Sequence, residues 1–110
     1  MLLETNSLEG MNNLNNHRKT GLVLIWFYAT WCGHCVNMES EWEKLSNNHP
    51  EEVNLAQIES EEIPQYQKSP GEDDIRGFPT IRLYHRDKLV KEYLNFPKVG
   101  ILPSNKIFFR

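Results

Sequence analysis

The spacing of apolar positions changes along the chain, and each change marks a new element. Leu22 to Ala29, LVLIWFYA, is an uncharged run of aliphatic, β-branched and aromatic residues. A run of strand length without alternation predicts a strand covered on both faces, at the centre of a sheet. After the cysteines the period lengthens: Cys35, Met38, Trp42 and Leu45 share one helical face, and Glu39, Glu41, Glu43 and Lys44 fall largely elsewhere. A helix is therefore expected to start at once and to run to about Asn48, where Asn47-Asn48-His49-Pro50 brings capping amides and a breaker. Val53 to Ile58 alternates apolar and polar residues and predicts a second strand. Thr80 to His85 and Lys88 to Leu94 predict an antiparallel hairpin about Arg86-Asp87, although the glycine usual in such a tight turn is missing.

The remaining segments carry weaker patterns. Residues 1–20 are rich in asparagine, and Leu8, Met11 and Leu14 at three-residue spacing suggest a short amphipathic helix. Glu59 to Lys68 has room for a turn or two of helix with Pro64 near its start, and Ser69-Pro70-Gly71-Glu72 is a loop by composition. From Asn95 onward Pro97, Gly100 and Pro103 interrupt any long helix. The order helix, strand, helix, strand, irregular helix, strand, strand defines a βαβ unit followed by a hairpin. The expected fold is α/β: a mixed central sheet of about four strands flanked by helices, with a truncated or irregular C-terminal helix.

Length and composition narrow the function classes. A chain of 110 residues is read as one domain, residues 1–110. Its 39% hydrophobic and 25% charged residues fit a soluble globular protein, and no apolar run approaches the roughly 20 residues that span a bilayer, so no membrane partner is expected. A net charge of -3 without a basic stripe argues against nucleic acid. The start, MLLETNSLEGMNN, lacks the positive and apolar segments of a secretory signal, and the end, KIFFR, is no retention or lipidation signal. A cytoplasmic or intracellular monomer is the expectation.

Two cysteines are too few for a disulfide scaffold or a structural zinc site, so their evident use is together. Cys32-Gly33-His34-Cys35 lies where strand gives way to helix. There the first cysteine caps the helix, facing unpaired backbone N–H groups that favour its anionic form, and the second sits in the first turn within reach of a disulfide. Cys32 is read as the nucleophile and Cys35, on the apolar face with Met38 and Trp42, as the resolving thiol. Gly33 and His34 set the direction of exchange; an imidazolium at His34, or a neutral imidazole donating to sulfur, favours the reduced form, whereas the plain alternative is a solvated residue at a helix start. His17, His49 and His85 show no spacing that pairs them with the cysteines, so no metal or cofactor is expected.

The stretch FYATWCGHC resembles the active-site segment of the thioredoxin superfamily, and its Gly-His dipeptide is similar to the protein disulfide isomerase branch. Ile75-Arg76-Gly77-Phe78-Pro79-Thr80 resembles the same superfamily's loop in which a cis-proline precedes a strand beside the disulfide. The likeness covers about residues 20–94. It implies a thioredoxin-like fold, a cis peptide before Pro79, a Phe78 backbone that pairs with an extended substrate, and an exposed Trp31 beside Cys32. A core position is the alternative for Trp31.

Two positions depart from that pattern. Members of the superfamily usually bury an acid six positions before the first cysteine and supply a lysine partner on a nearby strand; here those positions hold Trp26 and Gln57. Losing both charges avoids an unpaired buried charge, but leaves Cys35 without the group that takes its proton. The resemblance thus implies a thiol-disulfide oxidoreductase acting on protein thiols and disulfides, and a motif of this type would also suit an oxidising lumen. The alternative is a redox-impaired binding module that holds cysteine-containing or unfolded clients.

Overall fold

The computed structural model describes residues 2–96. Five strands form one sheet in the order β1-β3-β2-β4-β5, where β1 is Leu2–Leu3, β2 Leu22–Tyr28, β3 Val53–Glu59, β4 Thr80–His85 and β5 Lys88–Tyr93. β2 is central. It runs parallel to β3, with Trp26 in register with Gln57, and antiparallel to β4, with Trp26 opposite Ile81. This is why LVLIWFY shows no alternation: Leu22, Leu24 and Trp26 enter one core, Val23, Ile25 and Phe27 the other. The sheet is mixed and covered by helices as the sequence suggests, and the fifth strand is β1, a two-residue edge pairing parallel to Leu55 and Ala56 of β3.

The helix α1, Leu8–Thr20, starts at Ser7, whose hydroxyl accepts from the Gly10 N–H at 3.0 Å. Gly10 is required here, because a Cβ on it would lie 2.3 Å from the Glu4 carbonyl oxygen. Its buried face is Met11, Leu14, Asn15 and Arg18, while Leu8 is 71% exposed. The expected apolar stripe is thus rotated, and a charged residue at its end is taken into the core.

The helix after the cysteines is not continuous. It forms as α2, Gly33–Asn37, and α3, Glu39–Asn48, separated at Met38, whose N–H donates to Cys35 at 3.1 Å instead of continuing the four-residue ladder. Met38, Trp42 and Leu45 still share one core with Cys35. Farther on, a 3-10 helix occupies Ser60–Gln65, capped by reciprocal bonds between Glu59 and Glu62, with Pro64 near its end and not at its start.

The β4–β5 turn manages without glycine. Arg86 and Asp87 both adopt positive φ, 49° and 67°, as a primed two-residue turn demands. Asp87 is held there by its N–H on the Arg18 carbonyl at 2.7 Å, and by its carboxylate accepting from Arg18 Nε at 3.1 Å and Ser69 Oγ at 2.9 Å. The C-terminal helix expected to be truncated or irregular lies outside the described residues.

Candidate active site

The site forms where β2 ends and α2 begins, at the edge of the core shared by Trp26, Met38 and Trp42. Cys32 is the N-cap of α2, with extended backbone (φ -88°, ψ 109°), and its Sγ accepts the Cys35 N–H at 3.1 Å. That bond uses one of the donors a helix start leaves over. α2 is only five residues long, so what steadies sulfur here is this local N–H more than a long aligned helix. Cys32 keeps 8% of its surface exposed and Cys35 only 1%; both are free thiols. Burial, followed by the hydrogen bond with the Cys32 side chain, pushes the Cys35 thiol up to about 11.

Around this pair, Gly33 and His34 are exposed. An added Cβ at Gly33 would meet nothing within 4 Å, so the turn faces open space. Trp31 is 73% exposed, and Phe78 is half-buried with its ring edge-on to Trp31, centroids 5.7 Å apart at 86°. The Phe78-Pro79 peptide is cis. The structure therefore brings Trp31, Cys32, Cys35 and Phe78 to one end of the sheet.

Trp26 is buried at 2% exposure and lies in the cysteine core. Its ring stacks on Tyr28 at 4.7 Å and also meets Trp42 and Phe96 at 5.4 and 5.2 Å. The indole N–H finds no hydrogen-bond partner among the described residues. Gln57, in register with it on β3, is half-buried and donates to the Tyr28 hydroxyl at 3.5 Å. Thus an aromatic stack and an amide occupy the two positions singled out in the sequence.

A second polar arrangement was not visible in the sequence. The Glu72 side chain, fully buried on the opposite face of the sheet, accepts from Tyr84 Oη, from Tyr66 Oη at 3.1 Å, from the Ser69 N–H at 2.8 Å and from Arg82 Nη1 at 2.8 Å. Arg82 also donates to the Asp73 carbonyl at 2.9 Å and to Glu92 at 2.7 Å. The effect is to moor the start of the loop that ends at Phe78-Pro79. The available signal was Arg82 and Tyr84 alternating with Ile81 and Leu83 along β4. Glu72, in a Pro-Gly-Glu-Asp-Asp stretch, reads as solvated loop. Among the described residues no cluster of His, Cys, Asp and Glu forms that would hold a metal ion.

A sheet of this order with a Cys-Gly-His-Cys cap and a cis-proline beside it defines a thioredoxin-like class of protein. The sequence profile of the thioredoxin family matches residues 5–101. A protein disulfide-isomerase of Medicago sativa is 34% identical over 91 residues, an alignment covering 76% of this chain and 17% of that protein. A thioredoxin domain-containing protein of Theileria parva is 32% identical over 89 residues, covering 81% and 39%. The chain spans well under half the length of these relatives. The structure of Fasciola hepatica thioredoxin superposes with a TM-score of 0.60 at 24% identity, over 82% of this chain and 83% of that one, a likeness of fold. The chain belongs to the thioredoxin family and is a thioredoxin-like domain of the protein disulfide isomerase type, within a family of thiol-disulfide oxidoreductases.

Proposed function

We propose that this domain is itself a thiol-disulfide oxidoreductase that works through Cys32 and Cys35 on protein thiols and disulfides. The observation that carries the reading is Cys32 at the head of α2, its sulfur receiving the Cys35 N–H at 3.1 Å. Cys32 thiolate attacks a client disulfide; a Cys32–client S–S bond forms, the client bond breaks, and the second client sulfur leaves as thiolate. Deprotonated Cys35 then attacks Cys32 Sγ, forming the intramolecular disulfide and releasing the first client sulfur. Two electrons pass to the client, and the reverse sequence inserts a disulfide. Trp31 and Phe78, whose rings meet edge-to-face, offer an apolar contact surface, and the Phe78 backbone pairs with an extended client segment.

Insulin reduction with dithiothreitol as electron donor tests this reading. Turnover is expected in the natural protein and none above background in Cys32→Ser; absence of exchange in the natural protein at every pH from 6 to 9 would refute it. A rival reading, the redox-impaired module that holds clients, is favoured by the aromatic residue at Trp26. It requires Cys35→Ser to keep full biological activity, whereas the exchange reading requires loss.

A further inference from the structure

The exchange chemistry needs a proton to leave Cys35, and the surroundings of that thiol decide where it can go. The buried charged side chains among the described residues are Arg18, Glu72 and Arg82. All three belong to the other face of the sheet, where Arg18 lies over the rings of Tyr66 and Tyr84 and Glu72 binds Arg82. On the face of Cys35, β4 offers Ile81 and Leu83, and β3 offers Val53 and Leu55, with the amide Gln57 beyond them. Trp26, 2% exposed, fills the core beside them.

The titratable groups facing Cys35 are few. On its own helix stand Cys32 and the exposed His34. β2 supplies Tyr28 and β5 supplies Tyr93, both half-buried against the same core. Burial raises both phenols, with Glu62 adding to the effect on Tyr28, so each keeps its own proton near neutrality. On α3 the carboxylates Glu39, Glu41 and Glu43 and the ammonium of Lys44 are exposed. At the end of β3, the Glu59 carboxylate is committed to the Glu61 N–H at 2.7 Å and the Ser60 hydroxyl at 2.8 Å, which hold it below the usual carboxylate range. Glu62 in turn accepts the Glu59 N–H at 3.0 Å. Residues 97–110 contain no Asp, Glu or His.

We propose that Cys35 gives up its proton to hydroxide from solvent and not to a side chain of the protein. The mixed disulfide on Cys32 is then long-lived near neutral pH and is resolved faster with each step toward alkali. This deepens the function proposed above and rests on it. The atoms balance without a further reactant: hydroxide takes the Cys35 proton as water, Cys35 sulfur bonds to Cys32 sulfur, and the client sulfur departs with the electron pair of the broken S–S bond. Because Cys35 is 1% exposed, the smallest base, hydroxide, reaches it in preference to a buffer molecule.

The reduced protein is mixed with glutathione disulfide and quenched in acid at timed intervals. Mass spectrometry then separates the glutathionylated form from the internal disulfide, with Cys35→Ser as the reference for the unresolved state. The decay of the mixed disulfide is expected to quicken about tenfold per pH unit between pH 6 and 9, independently of buffer concentration. A decay that is level across this range, or that reaches a plateau below pH 8, overturns the inference while leaving the exchange reading intact. Failure of any mixed disulfide to form at Cys32 overturns both. Trp26→Glu is expected to raise the rate at pH 7 by tenfold or more and to flatten the profile, and Trp26→Phe to keep the natural slope. A folded Trp26→Glu protein with the natural rate and slope would contradict the role given to this position, and if that variant does not fold, the natural protein's profile decides alone.

Discussion

The two faces of the sheet are built from opposite materials. On the cysteine face, Trp26, Tyr28, Trp42 and Phe96 form an aromatic packing with no buried charge among the described residues, and one indole N–H is left without a partner there. On the other face, Glu72, Arg82, Tyr66 and Tyr84 exchange hydrogen bonds under cover, and Arg18 ties the helix α1 to the β4–β5 turn. Apolar packing keeps stability but supplies nothing that can accept a proton; a polar hub fixes a loop but costs desolvation unless each partner is met. The cysteine pair sits on the first kind of face and is flanked by a loop moored on the second.

Substitutions that attack one face at a time separate these contributions. The largest effect is expected from Trp42→Ala, which removes a buried ring touching Trp26 and Phe96 and should destabilise the fold by about 3–5 kcal/mol in denaturant unfolding. A loss below about 1 kcal/mol would mean that the aromatic packing is not what holds this face. Glu72→Gln should cost less, about 2 kcal/mol, because Arg82 keeps Glu92 and the Asp73 carbonyl while the charged acceptor for two hydroxyls is lost. It should also weaken binding of a peptide client, through the loop to Phe78, without altering the pH slope of mixed-disulfide decay. A change in that slope would show the two faces to be coupled.

The same division explains what could be read from the chain in advance. β2 was legible because seven residues are covered on both sides, and the hairpin because its strands bracket two polar residues. The cysteine cap was legible because a change of period falls on Cys32. Less accessible were features that depend on partners distant in sequence. β1 is two residues long and exists by pairing with β3. The buried stripe of α1 contains Asn15 and Arg18, which a search for apolar periodicity passes over, and the latter is stabilised by Asp87 far along the chain. The interruption at Met38 has no proline or glycine to announce it. Glu72 sits in a loop whose composition signals exposure, and only the return of β4 beside it makes a buried carboxylate tolerable. At the site itself, residue types disclosed the thiols, the resemblance to the superfamily implied the cis-proline loop, and the replacement at Trp26 became interpretable once the other face was seen to hold every buried charge of the described residues.

Direct titration of Cys35 tests the central claim most closely. With the cysteine β-carbons labelled with 13C, the NMR shift of Cys35 in the reduced protein is expected to move with a midpoint near 11, well above that of a free thiol. A midpoint at or below that of an exposed cysteine would show that this thiol has a stabilising partner for its anion, and would contradict the account of a buried sulfur left without a proton acceptor.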